Sequence, residues 1–384
     1  MRPVVVLAVL VAFALPARAG VYNPAEPFNF EIDADGYARP IQYAGGFDLI
    51  LAKLREVATL SRNPGDPPYP ARAEALARVQ ERQGKGMTSL SAEELAGLTA
   101  DLIRLNRNDD ALGILQPLAR DPRRGGFLAF THLARSHAGR GGWREAYDLE
   151  RTAVRDSDFP TSFAKLTRTQ LTWLRRVETE YYLPFLYHRA EESSGRRPAD
   201  LREELDVIFP SAVPPKRPTE PVRFVGEDGR YEAGRIAAAE RKKLPPDAIA
   251  VVQQLVLWHP QDTRLLWLLG ELYNAEGDVD TAAKILDKIT FDLGYSNPIV
   301  IEHRRVLQSA AEAAALERAA AESAQAAKAK AEADEEQARR DGAERDYQKR
   351  LRWIIACGVG LVVILVYYQF REVVRRVRRA GREA

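Results

Sequence analysis

LLWLLGELYNAEGDVDTAAKILDKI, residues 265–289, decides how the chain folds. Leu266, Leu269, Gly270 and Tyr273 fall on one helical face, spaced by three, one and three residues. Asn274, Gly277 and Asp278 then supply turn chemistry. Ala282, Leu286 and Ile289 resume the helical spacing. The stretch therefore reads as two short helices joined by a turn. Gly270 and Ala282 stand where the two helices approach closely, and each leaves room for the other backbone.

The same arrangement recurs upstream. Pro245 and Pro246 open a helix lined by Ala248, Val252 and Leu255 that ends at His259-Pro260. Ala248 precedes Ala282 by about 34 positions, so this helix reads as the second half of a unit whose first half is degenerate. Ser91 and Glu94 form a capping-box pattern ahead of a helix lined by Leu95, Leu98 and Leu102. Residues 106–110 turn, and Ala111, Leu115 and Leu118 line the next helix. A further unit has Phe130, Leu133, Ala134 and His137, a turn over 139–142, then Ala146 and Ala153.

In these residues the chain resembles the tetratricopeptide repeat (TPR) family, whose repeat is about 34 residues with large and small apolar positions in a W/L…L-G…Y…A…F/L order. Ala134 stands where the family prefers Gly, and His137 where it prefers Tyr. The resemblance covers roughly 110 residues. It implies a mainly α fold of helical-hairpin repeats, an α-solenoid, and a function in binding other proteins. It also implies a concave groove lined by the first helix of each unit. The groove positions here are Arg264, Trp267, Glu271 and Asn274 in the best unit, and Thr131 and Arg135 in the earlier block. Trp267 has a second reading, as packing against the preceding helix.

Around the repeats the chain divides by composition. Residues 20–46 are rich in Pro, Asn, Asp and Tyr and read as an irregular lead-in draped over the first helices. Residues 47–200 form the first helical block. It begins with an amphipathic helix carrying Leu49, Ile50, Leu54 and Val57. It ends in an aromatic helix over 163–192, with Trp173, Tyr181, Tyr182, Phe185 and Tyr187, which Pro184 kinks. Residues 209–221 are a stiff Pro-rich connector. Residues 222–236 alternate around Asp228-Gly229 and predict a small β-hairpin. The second block, 237–308, closes with a capping helix from Pro298.

The two ends carry membrane signals. Residues 1–19 read as a secretory signal peptide: Arg2, an apolar run over 4–16, and a small-x-small site at Ala17-Arg18-Ala19. Cleavage there makes Gly20 the first mature residue; an uncleaved anchor is the other reading. Residues 309–350 are dominated by Ala, Glu, Lys, Arg and Gln and predict a solvated helical stalk of about 60 Å, fraying near Gly342. Large apolar residues are too sparse there for a tight coiled coil, although transient stalk pairing fits. Residues 353–370 (WIIACGVGLVVILVYYQF) are uncharged and long enough for a transmembrane helix, with Trp353, Tyr367 and Tyr368 at the boundaries. Six basic residues lie on each side, so the positive-inside rule does not orient the span. The signal peptide does: it exports the N-terminal region and leaves the basic tail, 371–384, in the cytoplasm. Ala356 and Gly360 form a small-xxx-small pair suited to weak self-association.

Composition bounds the function. The 384 residues carry a formal charge of only +2, which gives no general pull toward nucleic acid. The single cysteine, Cys357, excludes an internal disulfide and a thiolate zinc site. Arg and Ala abundance matches a GC-rich bacterial genome. No nucleotide-binding, metalloprotease, nucleophile-elbow or calcium-loop motif occurs. His132 and His137 are five apart and face differently. Glu178, Glu180 and His188 form the one acid–histidine cluster, and they read as a solvated face. Neither an enzyme, a cofactor nor a metal is expected. The expected function is a membrane-anchored extracytoplasmic scaffold for protein partners in the cell envelope. A chaperone or assembly factor for exported proteins is the alternative. An enzyme site between the aromatic helix and residues 222–236 is the third reading.

Overall fold

A computed structural model describes residues 22–26, 28–61, 66–120, 126–195, 205–211 and 220–380. The expected signal peptide at 1–19, most of the expected connector at 209–221 and residues 381–384 lie outside the described residues. The chain is mostly helical and divides into two compact units, Met1–Ala311 and Glu312–Ala384.

The first unit contains α1 (Asp48–Ala58), α2 (Pro70–Gly84), α3 (Ala92–Arg104), α4 (Asn108–Ala119), α5 (Gly126–Ala138), α6 (Trp143–Asp156), α7 (Arg168–Val177) and α8 (Leu183–Ser193). The short α9 (Ala238–Arg241), then α10 (Ala248–Trp258), α11 (Thr263–Ala275) and α12 (Val279–Asp287) follow. Consecutive helices pack in order from α1 to α6 and again from α10 to α12, and α6 also packs on α8. The starts are set by local chemistry. The Ser91 hydroxyl accepts from the Glu94 N–H at 3.2 Å, and Glu94 accepts from the Ser91 N–H at 3.0 Å. Thr167 and Gln170 repeat that capping box ahead of α7. Asp262 caps α11 and Asp278 caps α12.

Between α7 and α8 the helix widens into a π turn, Glu178–Tyr182. Pro184 lacks the N–H that would reach back four residues, so the widened turn absorbs the defect.

The core follows the small-residue positions. Ala111, Ala134, Ala146 and Ala282 are fully buried, as are Leu98, Leu269 and Leu286, while Leu133, Leu266 and Tyr273 are nearly so. At Gly270 an added Cβ would lie 2.3 Å from Leu286 Cδ1, so any larger residue forces Leu286 or the helices to shift.

Residues 222–236 do not form the predicted hairpin. A tight turn is present, with the Gly226 N–H donating to the Arg230 carbonyl at 2.7 Å. The flanks do not pair as strands because their backbone groups are engaged elsewhere. The Val222 N–H donates to the Phe209 carbonyl, Arg223 N–H to Glu240, and Gly234 N–H to Asn274. The antiparallel pair lies instead in the lead-in, where β1 (Glu31–Ile32) meets β2 (Ala38–Arg39) with Ile32 opposite Ala38. The lead-in also reaches past the first helices, as far as α10 and α11.

The last helix, α13 (Pro298–Ala380), begins in the first unit, where Val300 and Leu307 are fully buried. Gly342 lies within it, without the expected fraying. The rest of α13 makes up the second unit. Its side chains over 353–370 are exposed throughout, and among the described residues it is the helix long and apolar enough to cross a membrane.

Candidate binding face and its buried charges

A buried cluster in the first unit is built around Arg135 of α5, which is 2% exposed. Its Nη2 donates to Glu178 Oε1 at 2.5 Å. Its guanidinium lies 4.4 Å from the Trp258 ring centre, 5.2 Å from Tyr182 and 5.3 Å from Tyr22. Nε and Nη1 make no hydrogen bond, so the ring faces are what stabilise that side of the cation. Burial is the largest influence and works against the charge, but the surrounding groups, Glu178 first and then Tyr182, Glu150 and Tyr22, together outweigh it and favour the charged guanidinium.

Two neighbours are shifted toward their neutral forms around this pair. Burial, and then the Glu178 charge, push the Glu150 carboxyl well up. Burial, and then the Arg135, Arg189 and Arg104 charges, push His259 down to about 3. The neutral His259 Nε2 sits 3.0 Å from the Tyr182 hydroxyl. Glu178 is therefore not on a solvated face; the π turn carries it into the core, fully buried.

The expected groove residues lie inside the first unit, bonded to the chain's own segments. Arg264 donates to both Glu192 oxygens, at 2.7 and 3.1 Å, and pairs with Asp206 at 3.0 Å. The fully buried Trp267 donates from Nε1 to Glu271 Oε1 at 2.7 Å. His303 Nδ1 reaches the same oxygen at 2.7 Å, and Tyr231 stacks on His303 with ring centres 3.5 Å apart. Asn274 accepts from the Gly234 N–H at 2.6 Å and donates to the Glu232 carbonyl at 3.0 Å. Thr131 is buried against its own helix, donating to the Leu128 carbonyl at 3.2 Å. Residues 205–211, the 222–236 loop and the start of α13 thus cover the face from which a partner would approach α11.

The lead-in covers the rest. Asn23 donates to Asp101 of α3 at 2.9 Å, and Glu26 accepts twice from Arg104, both at 2.7 Å. Tyr22 meets Phe127 edge-on at 5.6 Å, and Phe28 and Phe30 lie 5.9 and 5.1 Å from Trp173 of α7. The Gln253 amide of α10 reads the Ile41 backbone in both directions, accepting from N–H at 2.9 Å and donating to C=O at 2.7 Å. Tyr43 packs on Tyr273 of α11 at 6.0 Å.

None of these lead-in contacts was legible from periodicity, because the segment has none. Partial signals existed in the receptor helices. Asp101 interrupts an apolar run, and Gln253-Gln254 interrupt another (AIAVVQQLVLW). A polar residue at an apolar position implies a buried partner without naming it. Several recesses remain open among the described residues, including one of about 320 Å³ at the 222–236 loop, lined by Gly226, Glu232, Arg241 and Ala275, and two beside the helices of the first block. One of about 280 Å³ is lined by Leu54, Arg104, Asn108, Trp143 and His259. The other, of about 240 Å³, is mainly apolar and lies among α3, α4 and α5 at Leu95, Leu115 and Phe127. Among the described residues no three His, Cys, Asp or Glu side chains converge to hold a metal ion.

A scan against models of known protein families gives no match. A search of curated proteins finds none similar to this chain.

Proposed function

We propose that the chain is a membrane-anchored extracytoplasmic scaffold whose TPR-like helical array binds protein partners in the cell envelope. The observation that carries this reading is the helix pair α11–α12 closed on Gly270, the family's small-residue contact, in a chain that also carries a candidate membrane span. In this reading residues 353–370 cross the membrane, the array lies outside and the basic tail lies in the cytoplasm. Sequential packing of helices separated by short turns supports it, since such arrays present long surfaces rather than one deep pocket. The open recesses, and not the covered α11 positions, are the surfaces free to meet a partner.

Crosslinking and affinity recovery from membranes test the reading, using the full chain and a chain lacking 353–370. The expected result is a specific partner set retained with the anchor and depleted without it. Recovery of no specific partner by either chain would count against a scaffold. Preferential recovery of unfolded clients would assign the chain to the chaperone class. Orientation is checked separately by N-terminal sequencing, with the mature chain beginning at or near Gly20.

A further inference from the structure

The lead-in is held in the way a bound peptide is held. Residues 22–26 and 28–47 contain the two-residue strands β1 and β2 and a single irregular helical turn, Tyr43–Phe47, all too short to be stable alone, so the helices under them impose their shape. The contacts run along one track: Asp101 and Arg104, then Phe127 and Arg135, then Trp173, Gln253 and Tyr273. The segment joins α1 through Gly45-Gly46, where Gly45 has φ +75 and open space around it.

The polar groups of the track have second partners that do not belong to the lead-in. Asp101 is also held by Arg78 at 2.7 Å and Arg82 at 2.6 Å. Arg135 keeps Glu178, and Gln253 keeps the Tyr273 hydroxyl at 3.0 Å. Trp173 keeps Asp247 at 2.8 Å. Arg104 is the exception, and it lines the 280 Å³ recess that water reaches. Departure of the lead-in therefore removes an ion-pair partner at Arg104 alone, beside an open recess, while Asp101 and Arg135 keep theirs and escape the large penalty for removing half of a buried ion pair. It does leave an apolar, aromatic-lined surface, which favours replacement by a similar segment over an empty track.

We propose that residues 22–26 and 28–47 are a displaceable intramolecular ligand. The track they fill is a receptor for an extended polypeptide segment of a partner protein. The partner it fits presents an aromatic residue followed by Asn, a carboxylate three residues later, and two further aromatics at alternate positions, as Tyr22, Asn23, Glu26, Phe28 and Phe30 do. Tethering gives the resident segment a high effective concentration, so the track is closed until the segment is weakened or outcompeted. The inference rests on the scaffold reading only for the identity of the partner.

The test uses the full chain in detergent and a labelled synthetic peptide of residues 22–47. The parent is compared with an Asn23→Ala, Ile41→Pro variant, which loses the Asp101 contact and the N–H read by Gln253. The peptide is expected to bind the variant at least tenfold more tightly than the parent. Adding Gln253→Leu should reverse that gain, and a peptide with Tyr22 and Phe30 replaced by Ala should not compete. In the parent, amides of 28–47 should exchange with solvent while those of α5 and α10 remain protected. Equal peptide binding by parent and variant would overturn the proposal, as would exchange of 28–47 only on global unfolding. If the variant loses its cooperative melt, restoration by the peptide supports the proposal and failure to restore it overturns it. Peptide binding without any recovered envelope partner would sink the scaffold reading and leave the track intact. A recovered partner without peptide binding would do the reverse.

Discussion

Gly270 is the position where one side chain decides whether two helices meet. A Cβ there would stand 2.3 Å from Leu286 Cδ1 and 3.5 Å from Ile285 Cγ2, both residues being fully buried. Gly270→Leu should lower the unfolding free energy by about 1–3 kcal/mol, through forced rotamers and helix displacement. Adding Leu286→Ala should recover part of that loss, because the two sites share one volume. Denaturant titration of the four chains measures the coupling; purely additive effects would mean that α11 and α12 do not close on Gly270.

Glu150 and His259 give the residue scale a pH signature. Glu150 is raised by burial first, so the folded chain retains a proton that the unfolded chain releases above about pH 4.3. Its contribution is present below that pH and is lost as pH rises toward the folded value. His259 is lowered to about 3, so the unfolded chain takes up a proton below about pH 6.5 that the folded chain refuses. Its contribution is lost as pH falls from about 6.5 toward 3. The two oppose each other between about pH 4.3 and 6.5, and Glu150 acts alone above. Glu150→Gln should therefore gain on the parent as pH rises from 5 to 8, by up to about 1.4 kcal/mol per pH unit. Melting temperatures at the two pH values check this, and a constant gap would refute it.

At the scale of elements, segments without regular structure determine what the helices expose. The 222–236 loop is fastened to α11 by Asn274, which satisfies one N–H and one C=O of the loop. Asn274→Ala should leave those groups without their partner and cost about 1–3 kcal/mol. Limited proteolysis should show new cleavage within 226–235, and an unchanged digestion pattern would mean that other contacts hold the loop. The π turn has a comparable role. By absorbing Pro184 it carries Glu178 into the core beneath Arg135, where a solvent-facing acid was expected.

For the whole molecule, the two units should separate in behaviour. The core of the first is built from the lead-in, the helices α1 to α8 and α10 to α12, the irregular residues around Phe209 and Phe224, and the opening turns of α13, with Leu307 its last buried side chain. Deleting 353–370 should move the protein from the membrane to the soluble fraction while leaving its melting temperature within about 2 °C of the parent, because surface changes away from the core usually alter stability by less than about 0.5 kcal/mol. Persistence in the membrane fraction would place the anchor elsewhere.

The helices and their order were legible in the sequence because each rule involved is local. Apolar spacing, the Ser91–Glu94 cap, the turn at Asn274–Asp278 and the uncharged run at 353–370 act within a few residues of one another. The Leu266–Ile289 helix pair is the clearest case, since its large and small positions can be read along one face. Which side of that pair meets solvent was decided only in three dimensions. Trp267, Glu271 and Asn274 are buried because Tyr231, His303 and Gly234 come from segments far along the chain. Arg135 is buried because Tyr22, Glu178 and Trp258 converge on it. A lead-in without periodicity carries no local record of where it binds. Its hydrogen bonds go to side chains up to 232 positions away, and only the assembled helices bring those side chains together.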